Sequence, residues 1–210
     1  MEILTKPYYD PKRVFYVCSY GGCGSKMLVN YLSHFGETEH IHSRKPPLQL
    51  TYIGDKQTKN PVYCEWFNDT PVPPSELKHY HVIFIYNNPV RSIYSRFQLD
   101  THLDHIQCPD PNISLSDVLA SGQDLYGINE FFDNYTQPDP RRNYPILCVK
   151  YGDLFTHLPA LNAALGIPSL IHLFPLKQET KRVVDEETKL VTIYQPLIDK
   201  MKARPFVFQV

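Results

Sequence analysis

A lysine and a cluster of glycines lie together near the start of this 210-residue chain, in residues 19–26 (SYGGCGSK). The chain has only nine glycines, so Gly21, Gly22 and Gly24 are an unusual concentration. Glycine tolerates positive φ, so successive backbone N–H groups can point into one concavity, and a following helix adds its dipole. Such a loop favours phosphate or sulfate, with Lys26 placed to reach a terminal anionic group. An ordinary glycine-rich turn is the alternative.

The segments around this loop have the pattern of alternating strands and helices. Continuous apolar runs at residues 14–18, 81–86 and 146–150 predict strands that are covered on both faces. Each run is followed by apolar residues at helical spacing, and further helices are predicted around residues 128–135 and 190–201. The sequence therefore predicts an α/β fold with a parallel sheet.

The composition, 42% hydrophobic and 20% charged, is that of a globular protein, and the length fits a single domain over residues 1–210. A formal net charge of −1 gives no global attraction for nucleic acid or an anionic membrane, so neither partner is expected. No apolar window approaches about 20 residues, the length of a membrane span. Five cysteines without a CxxC pair favour a reducing, cytoplasmic setting. His102 and His105 flank Asp104, but no further ligand cluster accompanies them, so no metal is expected.

The residue after Lys26 argues against a magnesium-dependent site. In the Walker pattern a Ser or Thr follows the lysine and binds Mg²⁺, whereas here Met27 occupies that position. The strand of residues 81–86 leads into two asparagines, so no acidic residue replaces the missing hydroxyl there. The loop therefore predicts an anion site that needs no divalent ion. A P-loop nucleotide or small-molecule kinase with an eroded Mg²⁺ site is the alternative.

Three segments resemble motifs of the sulfotransferase family, in the family's order. Residues 19–26 resemble its 5′-phosphosulfate loop, S-Y-P-K-S-G-T-T, and residues 88–89 with Ser95 resemble its 3′-phosphate motif, R-N-P followed by Ser. Residues 151–154 (YGDL), with residues 165–166 (LG), resemble its Y-E-D-L and closing L-G. The resemblance implies a P-loop-like three-layer sandwich with a central parallel sheet flanked by helices. It also implies sulfuryl transfer from 3′-phosphoadenosine 5′-phosphosulfate to a hydroxyl or amine of a glycan or small molecule, leaving 3′-phosphoadenosine 5′-phosphate.

The resemblance also implies the donor-binding residues, with departures from the family pattern. Gly22 stands where the family has its loop lysine, so Lys26 is expected to supply that cation from a neighbouring position. Asn87 replaces the arginine of R-N-P, and Arg91 or Arg96 on the following helix could compensate, unless both lie on a solvated face. These departures leave open a nucleotide-binding relative without chemistry. The expected donor contacts are Gly21, Gly22, Cys23, Gly24, Ser25, Lys26, Met27, Arg91 and Ser95. In the family a basic loop also closes over the nucleotide, and Lys177 and Arg182 are the expected contacts from that loop.

The acceptor must lose a proton as it attacks, and the family uses a His or Glu for this, commonly after the first helix. His40 and His42 alternate about Ile41, so in a strand both point to one face. His42 is nearer the carboxyl end of that strand, where such sheets gather ligands, and is the expected base, with Lys26 as the other catalytic residue. A hydrogen-bonded structural histidine is the other interpretation of His42. The alternative bases are His40, Glu39 and Glu65.

Overall fold

A computed structural model describes residues 7–52, 70–97, 99, 101–175 and 187–210. The strands are β1 (Val14–Cys18), β2 (Glu37–Ile41), β3 (Tyr80–Tyr86), β4 (Ile146–Lys150) and β5 (Val207–Gln209). They form one five-stranded sheet in the order β2-β1-β3-β4-β5.

The helices that the structure describes carry most of the intervening chain. They are α1 (Ser25–Leu32), α2 (Pro89–Ser92), α3 (His102–His105), α4 (Leu115–Ser121), α5 (Ile128–Thr136), α6 (Tyr151–Leu165) and α7 (Glu187–Lys202). A π-helical turn, Ile93–Phe97, continues α2, and 3₁₀ turns lie at Leu77–His79 and Ile171–Leu173. Among the described residues, no helix combines the length and apolar character needed to cross a bilayer.

The sheet is mixed, which corrects the prediction of a parallel sheet at one edge. β1 pairs in parallel with β2 and β3, and β3 pairs in parallel with β4, but β5 runs antiparallel to β4. The reason lies in α7, whose last turn contributes Met201 and Lys202 to a pocket that Lys150 at the end of β4 also lines. The chain leaves α7 beside the carboxyl end of β4 and can only run back along it.

Helices cover both faces of the sheet. Along the sheet, the chain moves in one direction from β1 through α1 to β2 and in the opposite direction from β3 to β4. Because parallel crossovers are right-handed, the helices of these two connections lie on opposite faces. On one face the Tyr31 hydroxyl of α1 bonds to Asn162 of α6. On the other, Phe84 of β3 stacks on Tyr135 of α5 with ring centroids 4.6 Å apart. All the parallel strands therefore end at one edge of a covered sheet, where such folds place their ligands.

Two short helices lie in segments where the sequence predicted none. The first of them, α3, is a single helical turn of four residues. The missed α4 begins with a capping box, in which the Ser114 hydroxyl accepts from the Asp117 amide and the Asp117 carboxylate accepts from the Ser114 amide.

Candidate functional site

The turn between β1 and α1 has the backbone of an anion-binding loop. Gly21, Gly22 and Gly24 have φ values of 90°, 66° and 71°, which favour glycine strongly. Gly24 is the N-cap of α1 and supplies no side-chain cap to the first helical amides. Among the described residues, nothing accepts a hydrogen bond from the backbone N–H groups of residues 22–27. Uncapped donors at a helix N-terminus are the usual setting for a bound oxyanion.

The glycines are also required because the loop is wedged between three other elements. A Cβ at Gly21 would collide with the ring of His102 on α3, and one at Gly24 would collide with the ring of Tyr151 on α6. At Gly22 the added Cβ would lie 2.8 Å from the Cα of Ser92 on α2. The loop is therefore held in place by α2, α3 and α6 and cannot readily change its path.

Asn87, at the position where the motif that this segment resembles has an arginine, ties β3 to the loop. Its side-chain amide donates to the Gly22 carbonyl at 3.2 Å, and its backbone N–H donates to the Tyr20 hydroxyl at 3.0 Å. The Tyr20 hydroxyl in turn donates to the Asn87 carbonyl. Asn87 thus positions the loop by hydrogen bonds instead of supplying a cation, and sequence reasoning did not anticipate that role.

The side chains of the loop are mostly turned inward, so its backbone is the part that can bind. The Cys23 thiol is buried and contacts the Gly21 carbonyl at 3.0 Å, and burial raises its pKa to about 12, so it is a protonated structural thiol. Ser25 is 5% exposed and its hydroxyl is engaged within the protein. Met27 is half-buried, whereas Lys26 is exposed and has no ion-pair partner among the described residues.

Four histidines gather beside the loop. The rings of His40 and His42 are 4.3 Å apart, and the rings of His42 and His105 are 4.6 Å apart. His102 completes the group at 6.4 Å from His42, and its Nε2–H donates to the Tyr20 carbonyl at 3.2 Å. The prediction that His40 and His42 share a face is confirmed. α3 adds the other two, which sequence reasoning had considered only as metal ligands.

A chain of hydrogen bonds joins this histidine cluster to the loop. The Gly21 amide donates to the Ser19 hydroxyl at 3.3 Å, which donates to the Ser25 hydroxyl at 3.0 Å. Ser25 can then donate its own proton to His40 Nε2, 2.7 Å away. His42 Nδ1 lies 2.6 Å from the Ser19 carbonyl, which can only accept, so Nδ1 carries the proton. The Nε2 atom of His42 is therefore left with a lone pair, the form that a general base needs.

Three histidines of the cluster, His40, His42 and His102, are neutral near pH 7, mainly because they are buried. Burial lowers the pKa of His40 to about 4, with His105, Arg96 and Lys26 adding repulsion. Burial likewise lowers the pKa of His102 to about 4 and that of His42 well below its ordinary value. The neutral rings can accept or relay a proton, while Lys26 and Arg96 provide the fixed positive charge nearby.

We expect the free energy of unfolding to fall as pH drops from about 6.5 toward 4. The unfolded chain binds protons on these histidines near pH 6.5, and the folded chain does not until the pH is much lower, so protons favour unfolding. Each such histidine contributes a slope of at most about 1.4 kcal/mol per pH unit. Urea unfolding at several pH values measures it.

A matched pair of variants tests whether His42 contributes to this dependence of stability on pH. His42→Gln should make stability less dependent on pH below about 6.5, because glutamine does not titrate and the buried imidazole is gone. His172→Gln removes an exposed histidine of the 3₁₀ turn Ile171–Leu173 and should leave the slope almost unchanged. Equal slopes in wild type and His42→Gln would contradict a buried neutral His42.

The remaining expected site residues are not gathered in one place. Arg91 is exposed on α2 and lines an open pocket of about 240 Å³ next to Asn87. Ser95 is exposed on the π-helical turn. Glu39, an alternative base, lies on the face of β2 opposite His40. The other expected residues, Lys177, Arg182 and the alternative base Glu65, lie outside the described residues.

Arg44 anchors the segment that follows His42, and sequence reasoning missed it. It is only 6% exposed, and its guanidinium donates to the carbonyls of Gln107 at 2.6 Å, Gly127 at 2.8 Å and Tyr126 at 3.1 Å. These bonds tie the end of β2 to the chain before α5. A buried arginine with several acceptors has no signature in a single sequence, because its partners are 63 to 83 positions away.

Comparison with protein-family models, curated proteins and solved structures gave no match to this chain. Within the described residues, no group of three or more His, Cys, Asp or Glu side chains could hold a metal ion. The function proposed below therefore depends on the loop and the histidine cluster themselves.

Proposed function

We propose that this protein is a sulfotransferase that binds 3′-phosphoadenosine 5′-phosphosulfate at the loop between β1 and α1, on a P-loop-like fold. The backbone of residues 22–27 carries this proposal, because its N–H groups lack acceptors among the described residues and adjoin the unpaired Lys26. The phosphosulfate tail of the donor is the kind of oxyanion that such amides and an ammonium group bind. Met27 gives the loop no hydroxyl for Mg²⁺, which favours a donor that needs none.

The 3′-phosphate end of the donor is proposed to contact Arg91 and Ser95, both of which follow Asn88-Pro89 on the α2 segment. The Asn88 side chain accepts from the Val90 and Arg91 amides and so orients the start of α2. Both proposed contacts are exposed, so they are available to a ligand.

In the proposed reaction an acceptor hydroxyl or amine attacks the sulfur of the donor. A new bond forms from sulfur to the acceptor atom, and the bond from sulfur to the bridging oxygen breaks. That oxygen leaves on the 5′-phosphate of 3′-phosphoadenosine 5′-phosphate with the bonding electron pair, and the acceptor proton passes to a base. Lys26 and the loop amides stabilise the charge that grows on the leaving oxygen.

His42 is the proposed base, because its Nδ1–H is held by the Ser19 carbonyl and its Nε2 carries a lone pair. It is 5% exposed, and His40 is the more exposed of the two rings. His40 is therefore the alternative that meets an acceptor first. Hydroxyl groups of glycans or small molecules, in a cytoplasmic setting, are the proposed acceptors.

A thermal-shift titration tests donor binding. With EDTA present, 3′-phosphoadenosine 5′-phosphate at about 100 times its dissociation constant should stabilise the fold by about 2.7 kcal/mol. For a chain of this length that corresponds to a rise in Tm of roughly 5–10 °C. Stabilisation by ATP with Mg²⁺, and none by 3′-phosphoadenosine 5′-phosphate, would instead support the kinase alternative.

Transfer of radiolabelled sulfate to a panel of hydroxyl acceptors tests the chemistry separately from binding. His42→Gln should lose transfer and keep its affinity for 3′-phosphoadenosine 5′-phosphate, because the imidazole acts on the acceptor. Protection by the nucleotide without transfer to any acceptor would favour a nucleotide-binding relative that has lost chemistry.

A further inference from the structure

His40 is in direct contact with the helix start that follows the glycine loop. Its Nε2 atom is 2.7 Å from the hydroxyl of Ser25, the first residue of α1. The backbone N–H of Ser25 is one of the amides of residues 22–27 that have no acceptor among the described residues. Ser25 therefore joins the histidine cluster to the part of the loop where an oxyanion is proposed to bind.

The Ser25 hydroxyl has no proton to offer an oxyanion while His40 is neutral. Its oxygen accepts from the Ser19 hydroxyl at 3.0 Å, and its own proton can go to the lone pair of His40 Nε2. A hydroxyl group has one proton to donate. With that proton bonded to His40, the serine oxygen presents only lone pairs, which an anion repels.

Protonation of His40 reverses this hydrogen bond. A protonated imidazole carries N–H on both nitrogens, so Nε2 becomes the donor and the Ser25 oxygen becomes the acceptor. Ser25 then accepts from both Ser19 and His40, and its own proton is free to point toward the loop. One proton enters from solvent and none is lost, so the loop gains a hydroxyl donor with a positive charge behind it.

The surroundings of His40 oppose protonation as long as the loop holds no anion. Burial, followed by repulsion from its neighbours, lowers the pKa of His40 to about 4. The titratable and charged groups that act on His40 or on the adjoining His42 are His42 itself, His102 and His105 of α3, Arg96 of the π-helical turn and Lys26 of α1. All of these groups are basic. A dianion at the loop would offset their repulsion and raise the pKa of His40.

We propose that His40 is a positioning residue of the anion site, which takes up a proton when a sulfate or phosphate group binds the loop and turns the Ser25 hydroxyl toward that group. The proposal rests on the anion site of the proposed function and not on sulfuryl transfer. A protonated His40 would also supply a second cation to a loop that has Gly22 where the motif it resembles has lysine.

Linkage between the proton and the anion fixes how affinity depends on pH. If the bound anion raises the pKa of His40, protons must in return tighten the anion. The affinity therefore increases as pH falls through the raised pKa of the complex. The increase levels off near pH 4, where His40 of the free chain is protonated as well.

Isothermal titration of the full chain with sodium sulfate tests the proposal, because sulfate keeps both charges over the pH range used. Titrations at one ionic strength, in buffers of different ionisation enthalpy, measure the protons taken up with each sulfate. Between about pH 7.5 and about pH 5.5 we expect wild type to gain at least about threefold in affinity, within the limit of about tenfold per pH unit for one proton. Binding without proton uptake would overturn this proposal alone, whereas no binding at either pH would overturn the anion site with it.

A matched pair of histidine variants assigns the proton. His40→Gln keeps a side chain that can hydrogen-bond to Ser25 but cannot titrate, so it should bind sulfate within about twofold of wild type near pH 7.5 and lose most of the gain near pH 5.5. His172→Gln removes an exposed histidine of the 3₁₀ turn Ile171–Leu173 and should keep both the gain and the proton uptake. Proton uptake that persists in His40→Gln would place the proton on another group and overturn the proposal.

Two further variants locate the ion and test the hydroxyl. Lys26→Ala should weaken sulfate at both pH values, because the ion lies at the loop. Ser25→Ala removes the hydroxyl and leaves the backbone amide, so it should weaken sulfate near pH 5.5 and change it little near pH 7.5. Unchanged affinity in Lys26→Ala would place the ion elsewhere, and an equal loss at both pH values in Ser25→Ala would make the hydroxyl a fixed contact. Either result would contradict the role proposed for His40.

Discussion

Lys26→Ala is expected to lower the rate of sulfuryl transfer by about 10²–10³-fold, the range found when one group that stabilises transition-state charge is removed. Lys26 lies in the first turn of α1, beside the uncapped amides, and it is exposed without an ion pair among the described residues. Its ammonium group is thus available to the leaving oxygen of the proposed donor. Transfer of radiolabelled sulfate under saturating donor measures the loss.

The fold should tolerate this change, which separates a catalytic loss from unfolding. Lys26 is exposed and alanine is a good helix former, so Tm should move by no more than about 2 °C. Lys78→Ala, at an exposed lysine before β3 and so at the opposite edge of the sheet, is the matched control and should retain full transfer. Transfer by Lys26→Ala within about threefold of wild type would remove Lys26 from the mechanism.

Gly22→Ala should reduce the free energy of unfolding by about 2–5 kcal/mol. Gly22 has a φ of 66°, which costs a residue with a Cβ about 1–2 kcal/mol. The new Cβ would also lie 2.8 Å from the Cα of Ser92, which is backbone and cannot rotate away, so overpacking adds about 1–3 kcal/mol. Urea unfolding gives the difference.

Displacement of the loop from α2 should also weaken the bond from Asn87 to the Gly22 carbonyl and lower nucleotide affinity.

Gly122→Ala is the matched control, because it isolates the close approach from the backbone conformation. Gly122, at the end of α4, also has a φ of 66°, but a Cβ there would meet nothing within 4 Å. Its destabilisation should be limited to the conformational part, about 1–2 kcal/mol. If both variants lose the same free energy, the glycine loop is not wedged against α2 as the structure has it.

The buried strands were the part of the fold most easily predicted. Residues 14–18 and 146–150 match β1 and β4, and residues 81–86 fall one short of β3. Strands covered on both faces are apolar throughout, so they stand out from the polar segments between them. The three residues of β5 carry no such run and were missed. Short edge strands are chosen by tertiary position more than by composition.

The backbone geometry of the glycine loop could be predicted because it is local. Three glycines in four positions between an apolar strand and a helix imply positive φ, and Gly21, Gly22 and Gly24 have it. What glycine spacing could not reveal is the packing that makes each one necessary, since Ser92 and Tyr151 are distant in sequence. Family motifs also could not show that Asn87 holds the loop by hydrogen bonds.

The histidine cluster shows where sequence reasoning stops. The alternation of His40 and His42 predicted a shared face, and that prediction is confirmed by the ring separation of 4.3 Å. The approach of His105 to within 4.6 Å of His42 depends on α3, a four-residue helix with no periodic signal. Contacts between residues about 60 positions apart depend on the packing of the whole domain, which cannot be read from the pattern of a single sequence.

A crystal structure with 3′-phosphoadenosine 5′-phosphate, grown in EDTA, is the most direct test of the central claim that the loop amides bind the donor's anionic tail without a divalent ion. We expect the 5′-phosphate oxygens within hydrogen-bond distance, about 2.7–3.2 Å, of backbone nitrogens in residues 22–27, with the Lys26 ammonium beside them. A nucleotide bound elsewhere while the loop stays empty, or a loop that accepts only a magnesium triphosphate, would contradict it.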